Sequence, residues 1–305
     1  MTHRLIRTAF VLLAVLALGA SAGGAAPSAP APAARISVQL TPGAKSTPHP
    51  LLMTLGCPIY CAQLRNLAAL LGASLACTDY PKNGYVGPGG RANRKEDWGD
   101  PAYLAAAARV PDTLRRQGVK ISSLVLVGVS YSGYANAELV ATHPEMKPSA
   151  LFVVDSYLDL PARFTALPSY HETRKEMVAV IGGTLQQLPA AYAARSPSHH
   201  LDGLARAIQG GMKLVVVWSI APSEKREFVG ATCYQAANAQ WLSALAGLLG
   251  RPVVGYVTRL QHAFALWDHG SGLLALAHLA SPAHPLPATA VTFTPGGPIP
   301  PGSYC

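Results

Sequence analysis

Seven short apolar runs, most of them rich in β-branched residues, recur along the chain at 36–40, 51–55, 74–78, 123–127, 150–154, 213–218 and 252–258. Between them lie stretches of helical composition at 61–71, 102–117, 134–142 and 231–249, with another at 270–280 after the last run. Apolar runs without polar alternation suit strands buried on both faces, which a sheet achieves when helices cover it on each side. The alternation of strand and helix therefore predicts an α/β fold, a mainly parallel sheet with helices on both faces. One interval breaks the rhythm. Residues 158–211 are too many for a plain crossover, and they carry helical pieces at 172–181 and 185–194. We read them as a helical cap inserted over one end of the sheet.

The amino-terminal stretch has a different character. Arg4 and Arg7 precede an apolar run at 9–18, followed by Ala20-Ser21-Ala22. That order predicts a secretory signal peptide over 1–22, with a run too short for a membrane span. Residues 23–35 are rich in Ala and Pro and predict an extended linker. The folded domain is then 36–305, with a Pro/Gly-rich tail at 281–305. Export implies a secreted, periplasmic or envelope location, where cysteines pair as disulfides. Cys57, Cys61, Cys77, Cys233 and Cys305 are the candidates, and spacing alone leaves their pairing open. No histidine stands at zinc spacing from Cys57 and Cys61, so neither a metal nor another cofactor is expected. The formal charge is +9, yet no Lys/Arg run with interleaved aromatics occurs. Diffuse surface charge, not a nucleic-acid footprint, is the reading.

The chemistry concentrates after the fourth run. Leu124 to Val127 leads into Gly128-Val129-Ser130-Tyr131-Ser132-Gly133, and helical composition begins beyond Tyr134. A serine on a sharp turn between strand and helix is presented at the top of the sheet, beside the amide that opens the helix. Ser130 is the predicted nucleophile. The pattern departs from G-x-S-x-G, because Ser132 takes the place of the second glycine and Gly133 comes one residue later.

A serine hydroxyl needs a base, and the base needs an acid to fix its tautomer. His262 follows the last core run and is the predicted base; His269 lies further from the strand end, and His199 and His200 suit surface or capping roles. The acid has two candidates. Asp155 ends the run 150–154 and is preferred, since a carboxylate there needs a partner to be buried. Glu224, in the loop after 213–218, is its rival, while Asp159 suits a helix cap. The oxyanion hole needs two amide donors. Tyr131 supplies one. Cys57 is expected to supply the other, because Pro58 has no N–H, and a disulfide from Cys57 would steady its loop.

The run-and-helix order, the turn serine, the cap and the late histidine resemble the α/β-hydrolase superfamily over roughly 51–280. The segment 195–202 is locally similar to prolyl-oligopeptidase-like hydrolases. An acid at Asp155 resembles the arrangement of some haloalkane dehalogenases, whose aspartate nucleophile Ser130 replaces. The resemblance implies Ser130 as nucleophile, His262 as base and Asp155, or Glu224, as orienting acid; joined to the signal peptide, it gives the reading of an exported serine hydrolase that cleaves a small-molecule ester through an acyl-enzyme. Esters are preferred to peptides because the chain carries no propeller domain. The alternatives are a peptidase of the same fold and a non-catalytic binding protein. Phe164, Leu167 and Tyr170 either line a pocket for the ester or form the core of the cap.

Overall fold

The computed structural model describes residues 36–56, 58–78, 98–219, 235–258 and 288–301. Eight strands form one sheet in the order β1-β3-β2-β4-β5-β6-β7-β8. They are β1 (Ile36–Gln39), β2 (His49–Leu55), β3 (Ser74–Thr78), β4 (Ile121–Val129), β5 (Ala150–Val154), β6 (Lys213–Ser219), β7 (Val253–Thr258) and β8 (Ala288–Phe293). The six inner strands pair in parallel, and the two edge strands, β1 and β8, run antiparallel to their neighbours. The expected α/β sheet is present.

Every residue of β3 and β5 is buried, as is β4 from Leu124 onward. This continuous burial is why those strands read as unbroken apolar runs. Successive side chains go to opposite faces and enter separate cores. Leu124, Leu126, Leu151 and Val153 belong to one core; Val125, Val127, Phe152 and Val154 belong to the other. Full burial of each such side chain contributes about 1.5–3 kcal/mol, so the central strands hold the sheet together.

Helix α1 (Pro58–Leu70) covers the second core through Leu64, Leu67 and Ala68. Helices α2 (Pro101–Ala108), α3 (Val110–Arg116) and α4 (Tyr131–Thr142) pack on the first. The stretch 102–117, expected as one helix, is two. Pro111 stands in the first turn of α3, where a missing N–H does no harm, and the break falls just before it at Arg109. Asp100 caps α2, its carboxylate accepting from the amides of Ala102 at 3.0 Å and Tyr103 at 3.1 Å.

Within 158–211 lie α5 (Leu160–Ala166), α6 (Glu172–Ile181), α7 (Pro189–Ala193) and α8 (Leu201–Gln209). Asp159 caps α5, accepting from the Ala162 amide at 2.7 Å. Helix α8 was not foreseen. It packs on α4 and on α9 (Gln235–Leu249), which makes it a layer of the fold and not a lid. A Cβ on Gly203 would stand 1.7 Å from the Ala141 carbonyl oxygen, so only glycine lets the two helices meet there.

Strand β8 is a second correction, because 281–305 was expected to wrap the surface as a Pro/Gly-rich tail. Thr289, Val291 and Thr292 give the segment β-branched character that its flanking prolines and glycines concealed. Its partner, β7, carries only one neighbour on its other side, so the tail completes the sheet as an edge. Among the described residues, no helix is long and apolar enough to cross a membrane.

Candidate active site

The chain leaves β2 through α1 toward β3 on one side, and leaves β4 through α4 toward β5 on the other. The carboxyl ends of β2 and β4 therefore flank the point where the winding reverses. Open α/β sheets form a crevice at such a point. Ser130 stands there, one residue beyond β4.

Ser130 has φ 54° and ψ −123°, a conformation that L-residues other than glycine rarely adopt. Holding it costs about 1–3 kcal/mol, which the surrounding packing must supply. The packing is close. A Cβ on Gly128 would lie 2.3 Å from the Ser132 carbonyl carbon and 2.4 Å from the Gly133 nitrogen. A Cβ on Gly133 would lie 2.0 Å from Ser156 Oγ and 2.8 Å from the Gly128 oxygen. The two residues that must be glycine are thus Gly128 and Gly133. Ser132, at the expected glycine position, is fully buried, and its Oγ has no hydrogen-bond partner. Helix α4 starts at Tyr131, earlier than its composition suggested, so the Tyr131 amide belongs to the first turn.

Val129 of β4 and Val154 of β5 are register partners, so Ser130 and Asp155 leave the sheet side by side. The Ser130 amide donates to the Val154 carbonyl at 2.9 Å. Asp155 also has a positive φ, 45°, and is 5% exposed. Strand β6 fixes it twice: its amide donates to the Val217 carbonyl at 2.6 Å, and its Oδ1 accepts from the Ser219 amide at 3.1 Å. Ser156 follows, wedged against Gly133, its carbonyl accepting from Asn238 Nδ2 at 2.7 Å. Sequence reading missed Ser156, Ser219 and Asn238. Only their neighbours' positions at the strand ends could have pointed to them.

Beyond β2, the Gly56 amide is committed to Thr78, at 3.0 Å from its carbonyl and 3.1 Å from its Oγ1. Cys57, Glu224, His262 and His269 lie outside the described residues, as do Cys233 and Cys305. Cys61 in the first turn of α1 is bonded to Cys77 of β3. The restraint next to the 56–57 loop thus comes from Cys61, and neither Cys61 nor Cys77 remains for Cys57 to pair with.

Trp98, Tyr131, Tyr134 and Tyr157 form a buried aromatic cluster around the start of α4. Trp98 meets Tyr131 edge-on, with ring centroids 5.6 Å apart, and stacks on Tyr157 at 5.8 Å. The Arg163 guanidinium lies over the other partner, 5.0 Å from the Tyr157 centroid. Within 158–211, Phe164 and Leu167 are buried, and Phe164 meets Tyr192 edge-on at 5.1 Å. These two belong to the core shared with β4, β5 and α4, whereas Tyr170 is 75% exposed. Tyr192 donates to the Gly183 carbonyl at 3.0 Å, and burial pushes its phenol up to about 12.

The fold recurs in solved structures. A serine-to-alanine variant of puromycin hydrolase, in complex with PGG, superposes with a TM-score of 0.58 at 16% identity over 84% of this chain. A further puromycin hydrolase structure gives 0.54 at 17% identity over 87%. The chain adopts the α/β-hydrolase fold. A Staphylococcus aureus protein whose name proposes an esterase also shares the fold, with a TM-score of 0.51, 12% identity, and coverage of 81% of this chain and 79% of its own. The chain spans only 39% and 43% of the two puromycin hydrolase chains. No protein-family profile and no curated protein sequence matches it.

Proposed function

We propose that the protein is an exported serine hydrolase that cleaves carboxylic esters by acyl transfer. The observation that carries this reading is the strained Ser130 turn, which a merely structural serine has no reason to maintain. Ser130 Oγ attacks the ester carbonyl, and His262 takes its proton and returns it to the departing alcohol. Asp155 orients the imidazole and stabilises its cationic form; Glu224 is the rival for that role. The Tyr131 and Cys57 amides bind the oxyanion. Commitment of the Gly56 amide to Thr78 supports Cys57 as the second donor, since Pro58 has no N–H. Water then attacks the acyl-enzyme by the same route in reverse. The Cys61–Cys77 disulfide supports export to an oxidising compartment.

Esters are the less demanding acyl substrates, because an amide is more strongly stabilised by resonance and its nitrogen must be protonated before it can leave. The similarity to two puromycin hydrolases keeps amide cleavage as the second reading. Fluorophosphonate labelling tests the core of the proposal. Capture at Ser130, abolished in Ser130→Ala, is expected, and an inert native protein refutes it in favour of a ligand-binding role. A panel of p-nitrophenyl esters of graded length, run beside puromycin, separates ester from amide cleavage. Comparing Asp155→Asn with Glu224→Gln identifies the acid; the first is expected to lose far more kcat.

A further inference from the structure

We infer that Asn238 is a positioning residue for the carboxylate of Asp155, a role that rests on the hydrolase reading above. Asp155 lies in a left-handed backbone conformation, φ 45°, which β6 helps to maintain through the Val217 carbonyl and the Ser219 amide. Those two bonds hold the amide and Oδ1 of Asp155, and the carbonyl of the next residue, Ser156, calls for a restraint of its own. Asn238 supplies that restraint. It is 1% exposed, projects from α9, and donates from Nδ2 to the Ser156 carbonyl at 2.7 Å.

The opposite side of Ser156 is closed by α4, whose Gly133 has no room for a Cβ beside Ser156 Oγ. Ser156 Oγ itself donates to the Val154 carbonyl at 3.0 Å. The loop that carries the acid is therefore gripped between α4 and α9, with Asn238 as the grip on the α9 side. The amide orientation is fixed by chemistry, since only the NH2 end can donate to a carbonyl. Without that donor, the Ser156 carbonyl becomes a buried acceptor with no partner, and the loop shifts to find one. A displacement near 1 Å at a catalytic group reduces rate by up to about 100-fold.

A side chain that only satisfies a buried carbonyl would affect stability and nothing else. The two roles separate in the pH profile and in a double-mutant cycle. Asn238→Leu keeps the volume and removes the donor. If Asn238 acts through Asp155, kcat for a p-nitrophenyl ester falls about 10- to 100-fold with KM nearly unchanged. The acid limb of the kcat/KM profile also moves to lower pH, because a misplaced carboxylate no longer stabilises the imidazolium. In an Asp155→Asn background, Asn238→Leu then has little further effect. Asn238→Gln, which retains the amide on a longer stem, gives an intermediate loss and serves if the leucine variant does not fold. Unchanged profiles in a folded variant, or losses that multiply in the double mutant, overturn the inference. A native protein that fluorophosphonate fails to label instead overturns the hydrolase reading, and the two failures are distinct.

Discussion

Glu138 gives the sharpest test of the energetics. It lies in α4, fully buried, and neither carboxylate oxygen makes a hydrogen bond. His200 Nε2 is 3.4 Å from Oε1, but that ring nitrogen is aligned with the Ala194 carbonyl at 3.1 Å, so the carboxyl gains a contact and not a bond. Desolvation pushes the Glu138 carboxyl up to about 8 from its ordinary value of 4.5. The folded protein therefore keeps a proton that the unfolded chain releases above pH 4.5. Stability is greatest below that pH and falls as pH rises toward 8, at up to about 1.4 kcal/mol per pH unit. Relative to acid, the loss is roughly 3 kcal/mol at pH 7 and 4–5 kcal/mol at pH 9. Glu138→Gln, of the same shape and always neutral, abolishes that dependence at the expense of about 1 kcal/mol for its unpaired amide. Urea unfolding followed by tryptophan fluorescence between pH 5 and 9 is the assay. The two stability curves are expected to cross, with the glutamine variant about 3 kcal/mol the more stable at pH 9. Parallel curves across that range would refute the assignment of a neutral, desolvated carboxyl.

Three further outcomes follow from the site geometry. Ser130→Gly relaxes the positive φ and is expected to raise stability by about 1 kcal/mol in urea unfolding while abolishing fluorophosphonate labelling. Gly128→Ala places a methyl against the Ser132 backbone and is expected to lower stability by 3 kcal/mol or more, read as loss of soluble protein or a fall in melting temperature; a variant of native stability would contradict the close approach of β4 and α4. Reducing Cys61–Cys77, a bridge with a sequence separation of 16, is expected to lower stability by about 3 kcal/mol, checked by unfolding with and without dithiothreitol.

The sheet was legible in the sequence wherever strands are buried on both faces, because burial removes polar alternation and leaves a run to be seen. The segment 150–154 was located to the residue for that reason. Strand β8 was not, since an edge strand exposes Thr289 and Ala290 and sits among prolines and glycines. The Ser130 turn could be read from small residues after a strand, although the sequence could not show that Gly133, and not residue 132, carries the steric demand. Ser219 and Asn238 escaped notice because they act through a backbone amide and a backbone carbonyl. Such partners are brought together by tertiary structure, 64 and 82 residues from their counterparts.

The reversal of winding between β2 and β4 has a practical consequence. The two strand ends lead into helices that cover opposite faces, α1 over one core and α4 over the other, so a change at the β2 end does not crowd the short turn that Gly128 and Gly133 hold at the β4 end. The two sides of that rim can therefore be altered one at a time, with the strands left untouched.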